Sequence, residues 1–181
     1  MANRIALLVG ALLPLGALAA PAQAADLATI DCVIGKLKPA LTTMIEADVT
    51  RNFTEEALRP TYDPAVGSGL RVAATACATE HGWSEAAVTA ARVYTLAKLS
   101  QPIAEKFVTE KGFDSAELET QFSTLAEEVR NRPLTKEDMQ ALVIASVTDE
   151  SKQTRENASL LNKYYLVLST VQYAAWDFSQ A

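Results

Sequence analysis

The number and spacing of Cys32 and Cys77 indicate which chemistry these two residues could perform. They are the two cysteines present, they lie far apart, and they form no Cys-x-x-Cys motif. A redox pair or a pair of metal ligands would normally sit in such a motif or beside several histidines. We therefore predict a structural disulfide, Cys32 to Cys77, which would join the first helix to a later one.

His81 is the single histidine of the chain, so a metal site built on imidazole ligands is not expected. It directly precedes Gly82, which is the kind of residue that ends a helix in a left-handed conformation. An imidazole in the last turn also suits the negative end of the helix dipole. We expect His81 to have a structural role, and the sequence predicts no metal or other cofactor.

Sequence motifs of common catalytic sites are missing. The chain contains no Gly-x-Ser-x-Gly, no phosphate-binding loop, no dinucleotide fingerprint and no His-Glu-x-x-His. It also lacks the Cys-x-x-Cys-His motif that attaches haem. No residue is assigned a catalytic role, and these absences favour a protein that is not an enzyme.

The alternative is a helical enzyme of the mutase or lyase type, which holds an anionic substrate by positioning and electrostatics alone. Its candidate anion-binding residues are Arg71, Arg92 and Lys98, in segments rich in small side chains. The competing interpretation is that all three extend to the surface and pair with glutamates. Convergence of the three in a buried pocket would favour a ligand site, whereas an exposed apolar patch would favour a protein partner.

Residues 1–24 match a secretory signal peptide. Arg4 is followed by an uncharged stretch from Ile5 to Ala20 and by the small-residue triplet Ala22-Gln23-Ala24. The apolar stretch is short for a membrane span, and Pro14 interrupts it. We expect cleavage after Ala24, export to the periplasm or the exterior, and no stable membrane insertion afterwards.

Cleavage would leave a single domain of 157 residues, 25–181, which is long enough to bury a core. It would carry 15 basic and 22 acidic residues, a net charge of −7. Such an acidic surface argues against nucleic acid as a partner.

Helix signals recur throughout residues 25–181, whereas alternating strand patterns do not. We predict an all-α bundle of six or seven helices with one disulfide. The main signals are possible N-caps at Asp63, Ser84, Asp114 and Thr135, stops at Gly82 and Gly112, and kinks or breaks at Pro39 and Pro102. One helix is expected from Asp114 to near Pro133, and another from about Asp149 to Phe178.

The last of these helices is apolar nearly all round between Leu160 and Trp176, which predicts the buried centre of a bundle. Asn162, Lys163 and Gln172 interrupt it and argue against a membrane segment. From all these patterns we expect an exported, non-enzymatic protein that binds a protein or a small molecule, with the mutase or lyase type as the alternative.

Overall fold

The computed structural model describes residues 24–57 and 59–181, and the predicted signal peptide, apart from Ala24, lies outside them. The described residues form an all-α fold without strands, as the sequence predicted. The α-helices are α1 Cys32–Lys36, α2 Pro39–Thr54, α3 Pro64–His81, α4 Glu85–Glu110, α5 Ser115–Ser123, α6 Glu127–Arg130, α7 Lys136–Ser146 and α8 Arg155–Gln180. Two short 3-10 helices, Leu27–Thr29 and Glu150–Lys152, accompany them.

The predicted helix starts are confirmed by hydrogen bonds at the caps. The Asp63 carboxylate accepts from the Ala65 amide at 2.7 Å, and the Ser84 hydroxyl accepts from the Ala87 amide at 3.0 Å. Thr135 forms a capping box at the start of α7. These side chains satisfy amides that have no partner within the helix.

The predicted stops are also confirmed. Gly82 and Gly112 have φ angles of 71° and 77°, the left-handed conformation that glycine adopts without strain. The amides of Trp83 and Phe113 then bond back across the last turn, to Ala78 and Val108. The two similar sequences around these glycines therefore reflect the same way of ending a helix.

The described residues contain eight α-helices, and the difference from the expected six or seven has local causes. Lys38 is extended before Pro39, so the first predicted helix becomes α1 and α2. The helix expected after Asp114 ends at Ser123, and the four-residue α6 follows after a break. Pro102 does not interrupt α4, where it lies exposed on the helix surface.

Helices α4 and α8 form the antiparallel centre of the fold. Each has 26 residues, or about 39 Å at 1.5 Å per residue. The beginning of α4 and the end of α8 share one hydrophobic cluster, which includes Ala90 and Phe178. The end of α4 and the beginning of α8 share a second cluster, which includes Val108 and Leu161. Helices α1 to α3 complete the first cluster, and α5 and α7 complete the second.

The Cys32–Cys77 disulfide is present, with a sulfur–sulfur distance of 2.08 Å, and it joins α1 to α3 within the first cluster. Trp83 packs edge-on against Phe178 at 4.9 Å and donates a hydrogen bond to the Thr29 hydroxyl. These contacts attach the N-terminal helices to the end of α8. No helix in the described ranges combines the length and the apolar character that crossing a membrane requires.

Candidate functional site

The three candidate anion-binding cations differ in burial and lie on two helices. Arg71 is exposed on α3, Arg92 is half-buried on α4, and Lys98 is exposed on α4, where it donates to the Gln101 side chain at 3.3 Å. Arg92 and Lys98 are six positions apart, so they point about 120° apart around the helix. None of the three lines the cavity described below. Anion binding by these side chains stays a prediction.

The surroundings of His81 fit a structural role. Its ring stacks on Trp83 with the ring centres 5.7 Å apart, at the end of α3. Donor atoms of Cys32, Glu80 and His81 lie within 4.8 Å of one another, which is a spacing that metal ligands can have. Because the Cys32 sulfur is in the disulfide, it is not a thiolate and is a poor ligand.

An apolar cavity of about 370 Å³ lies between α2, α4 and α8, where the two hydrophobic clusters meet. The loop between α2 and α3 closes one side of it with Ala57, Pro60 and Tyr62. The remaining lining residues are Val49, Asn52 and Phe53 from α2, Val93, Leu96, Ala97 and Ser100 from α4, and Lys163, Leu166, Val167 and Thr170 from α8.

Hydrogen bonds to α2 hold the end of this loop in place. The Asn52 side chain donates to the Thr61 oxygen at 2.9 Å and accepts from the Thr61 amide at 3.0 Å. The buried Asp48 carboxylate accepts from the Asp63 amide at 2.7 Å and from the Arg51 guanidinium at 2.8 Å. The loop is thus fixed to α2, which is one of the helices that line the cavity.

Lys163 is the charged residue of the cavity wall, and it is 8% exposed. Its ammonium group donates to the backbone oxygen of Asn52 at 2.8 Å and also to that of Glu55. These carbonyl groups belong to the C-terminal end of α2, whose partial negative charge attracts a cation. Burial lowers the pKa of Lys163, and the negative charge of Glu55 opposes this effect.

Ser100 and Tyr62 also contribute hydroxyl groups to the lining. Ser100 is buried and donates to the Leu96 backbone oxygen at 2.7 Å. Burial raises the pKa of Tyr62, the Asp48 carboxylate adds to the rise, and the Ser100 hydroxyl opposes it. Tyr62 therefore stays a neutral donor and acceptor at physiological pH. The cavity offers a ligand apolar walls and a few polar groups.

Lys163 also borders two further grooves. One, of about 610 Å³, lies between α7 and α8 and includes Met139, Val143, Ile144 and Leu166. The other, of about 790 Å³, is more polar and includes Phe53, Glu55, Lys111 and Glu156. Lys163, in the middle of α8, therefore borders the cavity and both grooves.

Lys163 was not predicted as a site residue, because in the sequence it only interrupts an apolar helix. That interruption was the available signal, since a lysine in a buried helix needs partners. Tyr62 lies in a loop, and nothing in the local sequence links it to Ser100. Their proximity depends on how the loop returns over α4.

Comparison with protein-family models, curated proteins and solved structures gave no significant match to this chain.

Proposed function

We propose that this chain is an exported, non-enzymatic protein that binds a small, largely apolar molecule in the cavity between α2, α4 and α8. The observation that carries the proposal is the cavity itself, about 370 Å³ with an almost entirely apolar lining. Ligand sites typically measure about 300 to 1,000 Å³ and combine apolar walls with a few polar groups. Tyr62, Ser100 and Lys163 supply such groups here.

Export is supported by the signal-peptide pattern of residues 1–24 and by the Cys32–Cys77 disulfide. Disulfides persist in the periplasm and outside the cell, whereas cytosolic thiols are kept reduced. We accordingly place the working protein in the periplasm or outside the cell, after removal of the signal.

The test is a fluorescence titration of the oxidised protein, expressed from its full sequence, with the neutral apolar probe N-phenyl-1-naphthylamine. We expect a saturable rise in emission. Ala97→Leu adds volume to the cavity wall from α4, and Thr170→Leu does so from α8. Both should weaken probe binding at least tenfold. Ala86→Leu introduces the same side chain at an exposed position of α4 and should leave binding unchanged.

Circular dichroism and thermal unfolding would establish that each variant is folded. The absence of a saturable signal in the wild-type protein would refute the proposal. Unchanged binding in both folded cavity variants would refute the cavity as the site.

A protein partner is the second candidate, because the groove between α7 and α8 exposes large apolar side chains. Ile144 is 66% exposed and Leu166 is 41% exposed. Apolar side chains grouped at the surface often mark an interaction site. If Ile144→Asp abolished probe binding while Ala97→Leu and Thr170→Leu did not, the groove would be the binding surface and this candidate would be preferred.

A further inference from the structure

We propose that the ligand is an amphiphilic carboxylate, with its apolar chain in the cavity and its carboxylate against the ammonium group of Lys163. This inference rests on the proposed function and names the chemical class of the ligand.

Lys163 is a buried cation without a close acidic partner. Its hydrogen-bond acceptors are the neutral backbone oxygens of Asn52 and Glu55. In the described part of the chain, no carboxylate forms an ion pair with Lys163 within 4.0 Å. A buried charge is unfavourable unless it is paired, so an anion would be stabilised at this position.

Glu55 is the acidic residue whose charge affects the pKa of Lys163. Glu55 opposes the effect of burial on the Lys163 pKa, but its own carboxylate is exposed and lies 3.7 Å from the Arg51 guanidinium. Solvent and Arg51 therefore weaken its interaction with the buried ammonium group. Glu55 does not supply the desolvated counter-ion that the position favours.

The ammonium group of Lys163 has one N–H donor left for a ligand. A lysine ammonium group has three N–H donors, and the two carbonyl groups use two of them. A carboxylate oxygen can accept the third without displacing the end of α2. A charge-assisted hydrogen bond of this kind is shorter and stronger than one between neutral groups.

The cavity beside Lys163 is lined mainly by apolar side chains. Apolar side chains of three helices, among them Val49, Leu96 and Val167, form the cavity wall beside Lys163. They offer an unbranched hydrocarbon chain only dispersion contacts and burial from water. A single carboxylate at one end and an apolar chain at the other match this distribution, whereas a small polar anion would leave the wall unfilled.

The test compares decanoate with 1-decanol, which has the same chain length and no charge, as competitors of N-phenyl-1-naphthylamine. We expect decanoate to displace the probe from the wild-type protein at a concentration at least tenfold lower than 1-decanol. Lys163→Met should abolish this preference and leave displacement by 1-decanol nearly unchanged. Lys106→Met removes an exposed lysine from α4 and should keep the preference.

Equal displacement by the two competitors in the wild-type protein would overturn the inference, and so would a preference that persists in folded Lys163→Met. In either case saturable probe binding that Ala97→Leu abolishes would still support the proposed function. If Lys163→Met did not fold, Lys163→Gln and the wild-type comparison would decide the same question.

Discussion

The ammonium group of Lys163 donates to the backbone oxygen of Asn52 at 2.8 Å, which joins the middle of α8 to the last turn of α2. The Asn52 side chain in turn donates to the Thr61 backbone oxygen and accepts from the Thr61 amide. One end of α2 therefore connects the buried cation to the loop that closes the cavity.

Asn52→Leu should loosen that loop. The substitution removes both side-chain hydrogen bonds to Thr61, so we expect faster amide exchange at Thr61 and weaker binding of N-phenyl-1-naphthylamine. Hydrogen exchange resolved by residue would measure the first effect. Asn157→Leu removes a comparable bond, from the start of α8 to the Lys152 oxygen, and should leave exchange at Thr61 unchanged, because Asn157 makes no hydrogen bond to Thr61 in the wild-type protein. Unchanged exchange in Asn52→Leu would show that other contacts hold the loop.

Replacing both disulfide cysteines by serine should lower the free energy of unfolding. The bridge spans 45 positions, which corresponds to about 4 kcal/mol on the chain-entropy model. Urea unfolding of Cys32→Ser/Cys77→Ser and of the oxidised wild-type protein would measure the difference. Reduction of the wild-type protein should give a similar loss. An unchanged unfolding midpoint would contradict the expectation.

Two glycines should respond in opposite directions to alanine. Gly82→Ala places a side chain at a φ of 71° and should cost about 1 kcal/mol. Gly67 lies inside α3 with open space where a Cβ would lie, so Gly67→Ala should add about 0.5–1 kcal/mol. Thermal unfolding would measure both. A stabilising Gly82→Ala would contradict the role of Gly82 as the end of α3.

Above pH 10 the protein should lose stability, partly through Tyr94. Burial, with a smaller effect of Asp31, raises the pKa of Tyr94 to about 12 from its usual 10.0. Between these values the unfolded chain releases the tyrosine proton and the folded chain keeps it, so unfolding becomes more favourable as the pH rises.

Urea unfolding at several pH values between 10 and 12 would test this. Tyr94→Phe should show a shallower decline than the wild-type protein, whereas Tyr173→Phe serves as the matched substitution on α8. Identical declines in the wild-type protein and Tyr94→Phe would rule out a contribution from Tyr94.

Much of the fold could be predicted because its helix ends depend on local chemistry. Asp63, Ser84 and Thr135 cap the helices that follow them, and this is visible within a few residues of sequence. The disulfide followed from the presence of two cysteines. The effect of Pro102 was less predictable, because an exposed position allows α4 to continue past it.

The site was less accessible to prediction because its parts come together through tertiary packing. Lys163 and Asn52 are 111 positions apart, and nothing in either local sequence indicates that they touch. Arg71, Arg92 and Lys98 were selected as cations among small residues, but two of them lie exposed. Sequence spacing placed them on helices without fixing which way each side chain points.

The position of the cavity has a consequence for the balance between stability and function. Protein interiors are usually packed as densely as organic crystals, yet here an apolar space remains between the two central helices and α2. Such a space forgoes dispersion contacts that larger side chains at Ala97 or Thr170 would make. If the proposed ligand binds, its hydrocarbon chain would fill this space, the empty protein would be the less stable form, and occupancy would protect the protein from unfolding.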